Sequence, residues 1–235
     1  MINPSKESAE AVQQWGDTTS SERVFAPLDC WGIRRGRPHL VDALHPAAED
    51  IALALSNLYL RESLRQQSIR DILTGLFNRR YMLESLERAL SRAQREKIPV
   101  GLIMFDIDNF KDFNDVYGHD GGDALLHQLG NFLLKKTRGG DIVCRYGGEE
   151  FVIVLPGASL ENTRIRAEEI RKGVKDLLVY HLGKPMRKCT LSLGVTAFPE
   201  WGTTSESLIK SADTALYSAK NEGRDRVVAA DNSIV

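Results

Sequence analysis

The chain has 235 residues, 42% hydrophobic and 27% charged, which is long enough and apolar enough for one large core or two modest ones and excludes a disordered tail or a fibre. Lys plus Arg number 31 against 32 Asp plus Glu, a formal net charge of −1, so no general electrostatic attraction to nucleic acid or an anionic membrane is expected. Cys30, Cys144 and Cys189 are odd in number and widely spaced, which argues against a disulfide framework, and neither a membrane-length apolar run nor a signal peptide is evident. A cytoplasmic protein is the expectation.

Residues 1–45 show little periodicity and are expected to be irregular. From 46 to 73 the pattern is helical: Ile51, Leu55 and Leu58 form one apolar stripe and Leu53, Leu60 and Leu64 a second, with Arg61, Glu62, Arg65 and Gln66 between them. Two stripes suggest a signalling helix that pairs with a second copy of itself, giving a homodimer. The periodicity breaks at Thr74 and Gly75, and residues 74–235 are read as the main domain.

Within that domain the spacing predicts a helix at 81–97, then a buried strand from Val100 to Phe105 that ends at Asp106 and Asp108. A helix is expected over 122–136. Strands at 142–146 and 150–155 are separated by Gly147 and Gly148, which suits a tight hairpin because glycine accepts positive φ. A helix at 161–178, a strand at 188–198, a helix at 206–220 and a last strand at 226–230 complete the series. Strands interleaved with helices around one hairpin imply an α/β fold with a mixed or antiparallel sheet flanked by helices.

Asp106 stands at the exit of the first buried strand and Glu149 and Glu150 at the hairpin turn. If the strands are neighbours, these carboxylates converge, and the repulsion between them favours a hard divalent cation, Mg2+ with Mn2+ as the alternative. Metal-dependent phosphate chemistry follows. Gly147 and Gly148 leave room for a ligand against the hairpin backbone. A helical turn after Asp106, together with Lys111, suits phosphate binding, as do Lys220 and Arg224 at the end of the last long helix.

These features resemble a known family, the GGDEF-domain diguanylate cyclases. The matching segments are Asp71-x-Leu-Thr-Gly-Leu-x-Asn-Arg-Arg80, Phe105-Asp-Ile-Asp-x-Phe-Lys-x-x-Asn-Asp115, Gly118-His-Asp-x-Gly-Asp123, Arg145-Tyr-Gly-Gly-Glu-Glu-Phe151, Ser192-Leu-Gly-Val195 and Ala212-Asp-x-Ala-Leu-Tyr-x-Ala-Lys220, the last leading to Gly223 and Arg224. The resemblance covers about residues 68–231. It implies a polymerase-palm-like fold with a five-stranded sheet.

The resemblance also implies that two GTP molecules, one per protomer, are joined into cyclic di-GMP with release of two pyrophosphates. Asp106, the Ile107 carbonyl and Glu149 would bind the metal, with Glu149 also helping to deprotonate the attacking hydroxyl and Glu150 assisting. Asn114 and Asp123 would read the guanine edge, and Lys111, Lys220 and Arg224 would hold phosphates. Arg138 and Asp141 match the family's inhibitory Arg-x-x-Asp site for product. Glu169 aligns where a second arginine is often found, with Arg166 and Arg171 nearby. Residues 28–39 faintly resemble part of a GAF-type sensor, read as a truncated remnant.

His119 is read as a turn residue, and Cys144 and Cys189 as core packing rather than nucleophiles. Two rival readings stand beside the enzyme: a silent cyclic di-GMP receptor using Arg138 and Asp141, and a purely structural dimerisation module.

Overall fold

The computed structural model describes residues 50–59 and 69–231. The chain divides into two units at Asn57 and Leu58. Residues 50–59 form a helix, α1, on which Ile51, Leu55 and Leu58 are all exposed. The expected sensor remnant at 1–45 and much of the expected signalling helix lie outside the described residues. That helix does not extend to residue 73: Arg70 forms an antiparallel bridge with Phe77, and the intervening chain turns around Asp71.

The domain follows the order β1 (Phe77–Asn78), α2 (Arg79–Glu96), β2 (Val100–Ile107), α3 (Phe110–Lys136), β3 (Ile142–Gly147), β4 (Glu150–Pro156), α4 (Leu160–Val174), β5 (Tyr180–His181), β6 (Lys184–Pro185), β7 (Leu191–Phe198), α5 (Ser205–Asn221) and β8 (Val227–Ala229). The main sheet has six strands in the order β1-β3-β4-β2-β7-β8, one more than expected. Its centre is antiparallel, and both edges, β1 on β3 and β8 on β7, are parallel. The extra strand β1 has only two residues, too few to show alternation in the sequence.

β2 lies at the middle, so its apolar run is buried on both faces. Ile103, Phe105 and Ile107 pack with Phe113, Leu129, Ile170 and Leu193 beneath α3 and α4. Leu102 and Met104 pack on the other side with Met82, Leu86, Leu208 and Leu216 of α2 and α5. The period of two along β2 therefore divides one strand between two cores. α5 sits so close to the sheet that a Cβ at Gly194 would fall 2.1 Å from the Ala212 carbonyl oxygen.

Two helix boundaries differ from the spacing. α3 starts at Phe110 rather than 122, and its helical course is interrupted at Gly118, whose φ is 73° and ψ 170°. α4 ends at Val174, because Asp176 and Leu177 bond to carbonyls three residues back instead of four. A small hairpin, β5–β6, lies between the expected end of that helix at 178 and the strand expected from 188, where no element was expected. Among the described residues, no helix is long and apolar enough to cross a membrane.

Candidate active site

Asp106 is the residue of β2 directly opposite Glu150 of β4, and Ser192 of β7 flanks it on the other side. The carboxylates of two separate segments therefore meet at one end of the sheet. The ladder slips between Arg145 and Gly147, and Gly147 pairs with Glu150, so Gly148 and Glu149 form the turn rather than Gly147 and Gly148. This bulge sets Glu149 at the tip and keeps Glu150 in the ladder. Gly148 has φ 44°, a conformation that glycine adopts without the strain a side chain would bring.

Arg145 fixes the turn from behind. Its Nε donates to the Gly148 carbonyl at 2.9 Å, and its Nη1 lies 3.2 Å from Asp71 Oδ2. Asp71 in turn accepts from the Thr74 amide at 2.8 Å and the Thr74 hydroxyl at 2.7 Å. Burial opposes charge on Asp71, yet the Thr74 bonds and the Arg145 guanidinium hold its carboxyl below the usual range. Residues far apart in sequence thus lock the acidic hairpin to the segment that precedes β1.

Asp106 is 7% exposed, and its Oδ2 lies 3.0 Å from Lys220 Nζ. Burial pushes its carboxyl up to about 6; Lys220 opposes that shift, while Glu149 and Glu150 add to it. Among the described residues, no three carboxylate, imidazole or thiol side chains form a ready metal cage. A magnesium site is compatible with that, since Mg2+ commonly takes one or two carboxylates and completes its shell with water and substrate phosphates. The hard oxygen donors of Asp106, Glu149, Glu150 and the Ile107 carbonyl, and the repulsion felt at Asp106, fit a divalent cation.

Asn109 begins α3 at φ 55° without a side-chain cap bond, which leaves the first-turn amides and the exposed Lys111 available to an anion. Asn114 Oδ1 is buried without a hydrogen-bond partner. It lies over Gly122, where a Cβ would come within 1.9 Å of it, and the next residue, Asp123, is exposed. One expected base reader thus packs against the residue that precedes the other, and it carries an orphaned acceptor. Arg224 stands beyond α5, exposed, with φ 63°.

The Arg138–Asp141 pair is a separate feature. Asp141 Oδ2 accepts from the Arg138 amide at 2.8 Å and lies 3.4 Å from Arg166 Nη2. Arg138, Asp141, Arg166 and Glu169 line a cleft of about 360 Å³, together with Pro156 and Ile165. Of the two arginines near Glu169, Arg166 faces this cleft, and Arg171 turns away to Asp225 and Glu168.

His119 is exposed, just past the break at Gly118. Cys144 and Cys189 are buried, and burial pushes their thiols up to about 12 and about 11, so neither is a nucleophile. Asp108 had no sequence-assigned role. Its carboxylate accepts from Thr190, from Ser192 and from the Asp225 amide at 2.7, 2.6 and 3.1 Å. Its spacing of two from Asp106 was the available signal.

A family model described as "Diguanylate cyclase, GGDEF domain" matches residues 68–226. The response regulator PleD of Caulobacter vibrioides is 42% identical over 175 residues, covering 72% of this chain and 38% of that protein. The coiled coil and GGDEF domain of DgcB from Caulobacter crescentus, solved in complex with c-di-GMP, superposes with a TM-score of 0.71 at 29% identity, covering 80% of this chain and all of that one. The structure of the active GGEEF domain of a Vibrio cholerae diguanylate cyclase gives a TM-score of 0.61 at 33% identity, covering 66% of this chain and 99% of that one. The chain spans less than half the length of the curated relatives it matches. By the extent of these matches, and by the fold and the acidic hairpin that carries Glu149 and Glu150, the chain belongs to the GGDEF-domain diguanylate cyclase family.

Proposed function

We propose that this domain condenses two molecules of GTP into cyclic di-GMP and two pyrophosphates. Each 3′-hydroxyl oxygen forms a bond to the other nucleotide's α-phosphorus as the bond to pyrophosphate breaks, and the hydroxyl proton leaves with Glu149 as its acceptor. The observation that carries the reading is the register pairing of Asp106 with Glu150, beside Glu149 in the turn and Lys220 at 3.0 Å. A divalent cation, Mg2+ or Mn2+, held by Asp106, Glu149, Glu150 and the Ile107 carbonyl would supply charge stabilisation at the reacting phosphates.

The chain's own residues do the rest. Lys111, Lys220 and Arg224 hold phosphates, and Gly147 and Gly148 let the nucleotide lie against the hairpin. Asn114 and Asp123 read guanine: Asp123 accepts from N1–H and N2–H2, which adenine does not offer in that pattern, and the Asn114 amide can both donate and accept. Because each site holds one of the two nucleotides, turnover needs two domains face to face. The segment from residue 46 up to the bridge at Arg70 is proposed to carry the dimer helix, supported by the exposed stripe Ile51, Leu55 and Leu58. Product is proposed to inhibit from the cleft of Arg138 and Asp141, and the relative DgcB, which binds c-di-GMP, supports recognition of that ligand.

The test is incubation with GTP and Mg2+ and chromatographic separation of products, after bound nucleotide has been stripped. Wild type should yield cyclic di-GMP and Glu149→Gln should lose at least about a hundredfold in rate. Wild type that leaves GTP untouched but binds cyclic di-GMP would overturn the enzyme in favour of a silent receptor, and one that binds neither would leave a dimerisation module.

A further inference from the structure

Arg224 and Asp225 are consecutive non-glycine residues in the left-handed region, with φ of 63° and 47°. Such a pair persists only where its surroundings hold it. The side-chain hold is built on Asp225. Arg171 Nη1 donates to Asp225 Oδ1 at 2.7 Å and to its carbonyl at 3.1 Å, Lys175 Nζ donates to Oδ2 at 2.5 Å, and the Asp225 amide donates to Asp108 Oδ2 at 3.1 Å. These partners lie 54, 50 and 117 residues away in sequence, so the turn is pinned by α4 and by the loop after β2 rather than by its own neighbours.

Arg224 is different. Its amide donates to the Ala219 carbonyl at 3.0 Å and its carbonyl accepts from Arg226, but its guanidinium has no hydrogen bond or ion pair among the described residues. One residue is tied at every polar group, and the residue before it has a fully free charged head. Asp108, at the far end of the network, lies two residues beyond Asp106. The same network therefore fixes the free guanidinium relative to the strand that carries the acidic site.

We infer that Asp225 is a positioning residue for the phosphate clamp: gripped by Arg171, Lys175 and Asp108, it holds Arg224 in the left-handed turn that presents its guanidinium to the nucleotide. The inference rests on reading Arg224 as a phosphate ligand. It assigns to Arg171 and Lys175 a part in substrate binding exerted through Asp225.

The test is a double-mutant cycle on the full chain, read as calorimetric affinity for a non-hydrolysable GTP analogue with Mg2+. Asp225→Ala should weaken binding about tenfold, Arg224→Ala at least as much, and the double variant no more than Arg224→Ala alone, because Asp225 acts through Arg224. Asp225→Asn keeps an acceptor for Arg171 and should recover most of the loss. Independent losses that multiply in the double variant, or an Asp225→Ala that binds as wild type, would overturn the inference while leaving the phosphate reading of Arg224 intact. An Arg224→Ala that binds as wild type would overturn both, as would a wild type that does not bind the analogue. If Asp225→Ala does not fold, Arg171→Met takes its place in the cycle with the same expectation, and multiplying losses there would overturn the inference.

Discussion

Lys220 Nζ lies 3.0 Å from Asp106 Oδ2, so a residue read from the sequence as a phosphate ligand is paired with a residue read as a metal ligand. Without a divalent ion, the ammonium partly neutralises a carboxylate that burial and its acidic neighbours disfavour. A cation entering at Asp106 would do that work better and release Lys220 towards the phosphates. On the proposed function, the pair would be a place-holder whose exchange couples metal and nucleotide binding.

The sign of the pH dependence follows from Asp106. Its folded-state value of about 6 is above the ordinary 3.8, so the folded protein holds this proton more tightly than the unfolded chain. The carboxyl's contribution is therefore most favourable below about pH 4 and is lost as pH rises to about 6, on the order of 2 to 3 kcal/mol in all. Thermal melts in chelator from pH 4.5 to 8 should show wild type losing stability relative to Asp106→Asn through that window. Added Mg2+ should raise the wild-type Tm more at pH 8 than at pH 5. Parallel profiles for the two proteins would contradict the shift.

Guanine reading predicts a split between binding and stability. Asp123 is exposed, so Asp123→Asn should leave the Tm within about 2 °C of wild type while raising KM for GTP by about a hundredfold, since it replaces an acceptor with a donor. Gly122→Ala should act differently, because its Cβ would meet Asn114 Oδ1 and Phe110 and cost both affinity and stability. Steady-state kinetics and melts on the two variants check this. An Asp123→Asn variant with wild-type KM would remove Asp123 from the site.

The Arg138 cleft predicts that inhibition and turnover separate. Arg138→Ala and Arg166→Ala should each weaken product inhibition by about tenfold, and turnover before product accumulates should continue. Progress curves with added cyclic di-GMP measure both. Arg171→Ala, whose side chain points to Asp225 instead, should leave the inhibition constant unchanged. Inhibition that persists in both cleft variants would place product elsewhere.

The fold was legible where hydrophobic runs were long. The eight-residue runs of β2 and β7 are mostly apolar and buried throughout, and α2 and α5 keep their buried faces at helical spacing. β1 and the β5–β6 hairpin escaped because two-residue strands carry no period. The acidic site was half legible: the strand end and the glycine turn announced themselves, but the one-residue bulge that places Glu149 did not. Arg166 could not be told from Arg171 by spacing, because both lie on α4 and only the cleft and Asp225 distinguish them. The Asp71–Arg145 and Asp108–Asp225 contacts span 74 and 117 residues and exist only once the sheet has formed.

Manganese binding followed by electron paramagnetic resonance most directly probes whether the two strands share one cation beside a guanosine triphosphate. With a non-hydrolysable GTP analogue present, wild type should bind Mn2+ at least about tenfold more tightly than without it, and Asp106→Asn should lose most of that gain. Equal Mn2+ affinity in wild type and Asp106→Asn, with and without nucleotide, would contradict the shared site.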